Sequence, residues 1–349
     1  VLFFNIKVNM WNTILLLFGV IFEAERFNFM QDRRKHWKNS LSVIFALTFL
    51  INNVVWVSHH ASGAAVNHQA VTTISPQAAT VYGQGVSFTS ATANNGGISA
   101  TSLNGARSIV FDTNKDIYIS DTANNRVLYY PAGTTTATIV YGQPGLGTNT
   151  ANNGGISATS LNNPNAVALD SSGNLYVSDA GNNRVLYYPI GSTTATRVYG
   201  QAGSFSSGTA NNGGISSNSL SAPTGLTLDS NGNLYVSDAG NNRVLYYPAG
   251  STTATRVYGQ AGSFSSGTAN YPSGTPSTTS LLTPYGLDLD SSGNLYISDS
   301  GNSRVLYYVA GSTTATRVYG QGVSFTIGTA NNGGVSATSL NVPGELALD

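Results

Sequence analysis

One stretch of this chain is written four times. AVALDSSGNLYVSDAGNNRVLYYP (Ala166–Pro189) returns as LTLDSNGNLYVSDAGNNRVLYYP (Leu226–Pro248) and LDLDSSGNLYISDSGNSRVLYYV (Leu287–Val309), with a looser copy, IVFDTNKDIYISDTANNRVLYYP, at Ile109–Pro131. The arginines Arg126, Arg184, Arg243 and Arg304 mark the period, at spacings of 58, 59 and 61 residues. Repetition at a near-constant spacing restricts the chain to folds in which one supersecondary unit packs against copies of itself.

Turn residues cut each copy into four short segments. In the second copy these are a, AVALD (Ala166–Asp170); b, NLYVSD (Asn174–Asp179); c, RVLYY (Arg184–Tyr188); and d, TRVYG (Thr196–Gly200). Each is a β-branched and aromatic run bounded by Gly, Asn, Ser or Pro, which predicts a strand. The links DSSGN and DAGNN are short enough for antiparallel hairpins. A sheet with one wet face alternates apolar with polar residues. Segment c instead puts Val185 and Tyr187 on one face and Leu186 and Tyr188 on the other, so both faces need cover. Identical four-stranded sheets stacked face to face about an axis supply it, which is an all-β propeller; a β-sandwich would not require near-identical copies of a whole meander.

The pattern P-x-x-V/L-A/T-L-D-x-x-G-N-L-Y-V-S-D-x-G-N-N-R-V resembles the NHL repeat, the blade unit of a family of six-bladed, TolB-like propellers. The resemblance covers Tyr82 to Asp349. It implies blades near 105–142, 163–200, 222–259 and 283–320, with partial strands at 80–84 and 341–349. The expected architecture is four complete blades in an open or truncated propeller. Two departures from the family stand out, the blade number and the repeat length. The extra length lies in long d–a loops such as Gln201–Gly225, which share a face with the b–c turns. Loops this long are functional or disordered in most proteins.

Ahead of the repeats, Met30 opens a basic stretch (Arg33, Arg34, Lys35, Lys38) followed by the apolar run Leu41–Val57 and the small residues of Ala61–Ala65. That order predicts a secretory signal peptide over 30–64, cleaved near Gly63 or Ala64, or, uncleaved, an N-terminal membrane anchor at 41–57. Either way the repeats are exported, with 65–79 as linker. Residues 1–29 carry a second apolar run, Thr13–Phe22, and are read as upstream sequence from an early start, the alternative being a two-helix membrane hairpin.

The formal charge of zero divides unevenly: the repeats hold nine basic and twelve acidic residues, so 9 − 12 = −3. A weakly acidic body lacks the basic face that nucleic-acid binding needs. There is no cysteine, and His36, His59, His60 and His68 all precede the repeats, so the usual zinc sites and a Ser-His-Asp triad have no ligands there. No catalytic residue, metal site or cofactor is expected. Asp121, Asp179, Asp238 and Asp299 recur five residues before Arg126, Arg184, Arg243 and Arg304; presence in every copy marks them as blade-building pairs. Asp112, Asp170, Asp229 and Asp290 open the a–b turns. The tyrosine pairs, from Tyr129–Tyr130 to Tyr307–Tyr308, are expected between blades with hydroxyls at the rim. Arg197, Arg256 and Arg317 read as charged guards on the outer edge. Asp288 stands where the other copies have Val110, Ala168, Thr227 and Ala347 and is the candidate channel residue. The functional expectation is a non-enzymatic binding or scaffold module for a protein or glycan ligand at the loop face. Two alternatives are a carboxylate-metal lyase or lactonase-like hydrolase, using acids such as Asp288 and Glu345, and the extracellular sensor of a larger envelope protein.

Overall fold

The computed structural model describes residues 78–348, together with the short pair β1 (Leu50–Ile51) and β2 (Val54–Val55). The segments expected to be a signal peptide or anchor and a linker, and residues 1–29, lie almost wholly outside the described residues. Among those described, no helix is long and apolar enough to cross a membrane. Val1–Ala78 and Ala79–Asp349 form separate units, and the repeats occupy the second.

Each copy folds as a four-stranded antiparallel meander. The first is β3 (Ala106–Phe111), β4 (Ile117–Asp121), β5 (Arg126–Tyr130) and β6 (Ile139–Tyr141). The second is β7 (Pro164–Leu169), β8 (Leu175–Asp179), β9 (Arg184–Tyr188) and β10 (Arg197–Tyr199). The third runs β11 (Pro223–Leu228), β12 (Leu234–Asp238), β13 (Arg243–Tyr247) and β14 (Arg256–Tyr258). The fourth is β15 (Pro284–Leu289), β16 (Leu295–Asp299), β17 (Arg304–Tyr308) and β18 (Arg317–Tyr319). The first strands of successive sheets, β3, β7, β11 and β15, pack side by side in that order, which is propeller geometry.

Both faces of each sheet are covered, as the pattern of segment c requires: Val185, Leu186 and Tyr188 are fully buried and Tyr187 nearly so. The two faces differ in kind. Val167, Val177, Leu186 and Val198 are in register on the face toward the first blade, where they meet Tyr118, Val127 and Tyr141. Ala168, Tyr176, Val185, Tyr187 and Tyr199 form the opposite face and meet Leu226, Val236, Leu245 and Val257 of the third blade. A mainly aliphatic face, with one buried tyrosine such as Tyr188 at its margin, therefore receives a tyrosine-rich one. Each fully buried Leu or Val in these layers contributes about 1.5–3 kcal/mol relative to exposure.

The outer positions follow the same scheme. Tyr82 sets its ring edge-on to Tyr130 at 5.3 Å, just as Tyr141 meets Tyr188 at 5.2 Å. Yet neither 80–84 nor the described part of 341–349 pairs as a strand, in contrast to the partial strands expected there. Ile109 and Phe111 on the first blade are 53% and 54% exposed, whereas Val167, the counterpart of Ile109, is 5% exposed.

Three expectations need correction. The first strand of each blade starts ahead of segment a, at a proline in the second to fourth blades and at Ala106 in the first, and carries a bulge, for example between Pro164 and Val167. The second tyrosine of each pair does not send its hydroxyl to the rim: Tyr130, Tyr188, Tyr247 and Tyr308 are fully buried, and their hydroxyls have no hydrogen-bond partner among the described residues. Finally, the long d–a loops, for which disorder stood as one alternative, are tied to the sheets by hydrogen bonds.

Candidate functional site

The b–c turn of each blade is the anchoring point of its loop-bearing face. In the second blade the turn ends on Asn183, left-handed at φ 53°, a conformation that asparagine tolerates better than most residues. Arg184 follows and donates from Nε to Asp179 Oδ2 at 2.7 Å, with both side chains 0% exposed. The corresponding pairs Arg126–Asp121, Arg243–Asp238 and Arg304–Asp299 are at 2.6, 2.7 and 2.7 Å. Asp179 also accepts from the Asn162 backbone N–H and the Asn182 amide. Complete burial raises the Asp179, Asp238 and Asp299 carboxyls above the ordinary carboxylate value, opposed first by the guanidinium and then by these donors. Sealed from solvent, the pairs have no surface to offer a ligand.

The rest of each guanidinium is spent on the loops. Arg184 donates to Phe205 O at 2.6 Å in the following d–a loop, and to Ser157 O and Ser160 O, both at 2.9 Å, in the preceding one. Asn152 and Asn182 exchange reciprocal amide bonds of 2.9 and 2.7 Å, and Asn211–Asn241 repeats the arrangement. A d–a loop is thus a latch. The one between β6 and β7 is held by Arg126 and Asn125 of the first blade and by Arg184 and Asn182 of the second.

Other recurring residues also have local partners. Asp170 accepts from the Ser172 and Asn174 N–H groups and from the Asn174 amide, closing the a–b turn. Arg197, Arg256 and Arg317 lie over the Tyr187, Tyr246 and Tyr307 rings at 4.4, 4.5 and 4.8 Å, so these edge charges are stacked on their own sheets. Asp288 is half-buried and accepts from Leu289 N at 2.8 Å and Leu348 N at 2.6 Å; it holds the segment after the fourth blade. The structure brings Asp288 together with backbone, not with the other singled-out acids. Among the described residues, no three His, Cys, Asp or Glu side chains gather in a group able to hold a metal ion.

The residues that do converge are ones that repetition conceals. The bulge after each strand-opening residue turns the next position toward the axis, at the end of the strand fed by the d–a loop. That position is Arg107, Asn165, Thr224 and Tyr285 in the four blades. Arg107 donates to the Tyr285 hydroxyl at 3.0 Å, and this hydroxyl donates to Asn165 Oδ1 at 3.2 Å, linking blades one, four and two across the axis. Thr224 donates to Pro284 O at 3.1 Å and holds the strand that presents Tyr285. Gly225 lets that strand approach closely, since a Cβ there would lie 2.2 Å from Tyr285 O. Asn165 and Thr224 are buried, Tyr285 is half-buried and Arg107 is exposed, so the set grades from a fixed base to an accessible cation. One sign of it is visible in the sequence: the second position of the strand openings ARSI, PNAV, PTGL and PYGL is a different polar or aromatic residue in every copy.

The NHL repeat family model matches residues 161–188 and 220–247. No curated protein matches the chain. Among solved structures, a catalytically inactive virginiamycin B lyase from Staphylococcus aureus with quinupristin is similar at 16% identity and a TM-score of 0.39, over 62% of this chain and 55% of that one. The selenomethionine form of that lyase gives 15% and 0.38 over the same shares, and a streptogramin B lyase gives 12% and 0.36 over 78% and 72%. The chain thus spans 55% of the length of the first two of these structures. The second and third blades are matched by the repeat model and the first and fourth fold as the same meander, so the chain is an all-β propeller that carries NHL repeats.

Proposed function

We propose that this chain is an exported, non-enzymatic binding module that engages a protein or glycan ligand on the face bearing its d–a loops and b–c turns, at the axial mouth. One observation carries the reading. Blades that copy one another almost residue for residue differ where they meet at the axis, in Arg107, Asn165, Thr224 and Tyr285. Residues that build a blade recur in every copy, whereas residues that contact an asymmetric ligand need not. The surrounding loops are latched by buried hydrogen bonds, which gives the mouth a fixed rim and lowers the ordering cost of binding.

The test is a glycan array and a peptide array probed with the labelled full chain and with Tyr285→Ala. Specific ligands that bind the parent and are lost at least tenfold by Tyr285→Ala are expected. A parent that binds nothing, or a variant that keeps every ligand, overturns the proposal.

A further inference from the structure

Resting on that reading, we propose that the mouth recognises a carboxylate, with Arg107 as its anchor and Tyr285 and Asn165 orienting the group that bears it. The inference starts from the disposition of positive charge. The repeats carry nine basic residues. Four are arginines sealed in pairs with aspartates, and three are stacked on tyrosine rings. Lys115 lies in an a–b turn, at the end of the sheet away from the d–a loops. Arg107 remains: an exposed guanidinium at the axis whose hydrogen-bond partner among the described residues is a neutral phenol.

A guanidinium has five N–H donors in a planar fork that matches the two oxygens of a carboxylate. One donor of Arg107 is used on Tyr285, leaving enough for bidentate recognition. Tyr285 accepts that bond while donating to Asn165, so its proton is already committed. When a carboxylate draws the guanidinium away, the phenol oxygen is left as an acceptor facing the ligand. The complementary ligand therefore carries a hydroxyl or an amide N–H beside its carboxylate. A uronic acid and the C-terminal residue of a peptide both have this chemistry. Phosphate fits less well: among the described residues no second cation stands at the mouth, and the repeats sum to 9 − 12 = −3.

The experiment is an NMR titration of the full chain, labelled with 15N, at constant ionic strength. The probes are sodium glucuronate, glucose, N-acetylglycine and inorganic phosphate, each against the parent, Arg107→Gln, Arg107→Lys and Tyr285→Ala. The expected result is binding of glucuronate or N-acetylglycine at least tenfold tighter than glucose and phosphate. Arg107→Gln should abolish that preference and Arg107→Lys should keep part of it; the stronger of the two acids identifies the source. Equal affinity for glucuronate and glucose, a preference that survives Arg107→Gln, or phosphate binding as tightly as both acids overturns the inference. So does the absence of any shift with either acid. Array ligands that depend on Tyr285 but are indifferent to Arg107 would sink the carboxylate while leaving the binding module intact. Independence from Tyr285 as well would remove both.

Discussion

Replacing Arg184 with alanine strands a carboxylate and unlatches two loops at once. Asp179 keeps its 0% exposure but loses the guanidinium 2.7 Å away. Phe205 O, Ser157 O and Ser160 O lose their donor in the same step. Breaking a buried ion pair from one side costs about 3–5 kcal/mol, and each orphaned carbonyl adds about 1 kcal/mol unless water enters to replace the donor. With water filling the vacated space the sum settles at about 4–5 kcal/mol, a large share of the roughly 5–15 kcal/mol of a folded domain. The assay is urea unfolding followed by tyrosine fluorescence, with amide exchange to locate the loss; both d–a loops flanking the second blade should exchange faster. Arg184→Met combined with Asp179→Asn leaves no stranded charge and should recover about 2 kcal/mol relative to Arg184→Ala, with Arg184→Met alone and Asp179→Asn alone completing the cycle. A loss below about 1.5 kcal/mol for Arg184→Ala, or a double variant as unstable as the sum of the singles, would refute the assignment of these pairs as the latch.

Two further predictions separate kinds of constraint. Gly225→Ala should cost about 2–3 kcal/mol because its Cβ meets the Tyr285 carbonyl, and should shift the Tyr285 ring resonances, while Gly214→Ala, in open space at φ 98°, should cost only about 1 kcal/mol; equal losses in thermal unfolding would contradict the close approach. Tyr188→Phe removes a fully buried hydroxyl with no partner and should change stability by less than about 0.5 kcal/mol in urea unfolding, whereas a loss above about 1 kcal/mol would mean that the hydroxyl has a partner in solution.

The blade was legible in the sequence because its constraints are local. RVLYY is apolar on both faces, and Gly, Asn and Pro punctuate it, so the strands β8 (Leu175–Asp179) and β9 (Arg184–Tyr188) fall within a residue of the segments marked by composition alone. The d–a loops were not legible in the same way. Asn152 and Ser160 look like any polar loop residues until Asn182 and Arg184, 30 and 24 residues on, are seen to hold them. The axial set escaped for a related reason. Attention to charge singled out Asp288, but that carboxylate is spent on the Leu289 and Leu348 N–H groups. Arg107 and Tyr285 meet across 178 residues, through a bulge whose effect on side-chain direction no periodicity count reveals.

The unlike faces of each sheet, aliphatic on one side and tyrosine-rich on the other, have a consequence for ancestry. A gene segment encoding one meander brings its own plug and its own socket, so a newly duplicated copy fits between any two existing ones without adjusting either neighbour. Growth by copying then costs little in compatibility, and selection is left free to work on the few side chains that look inward at the hub.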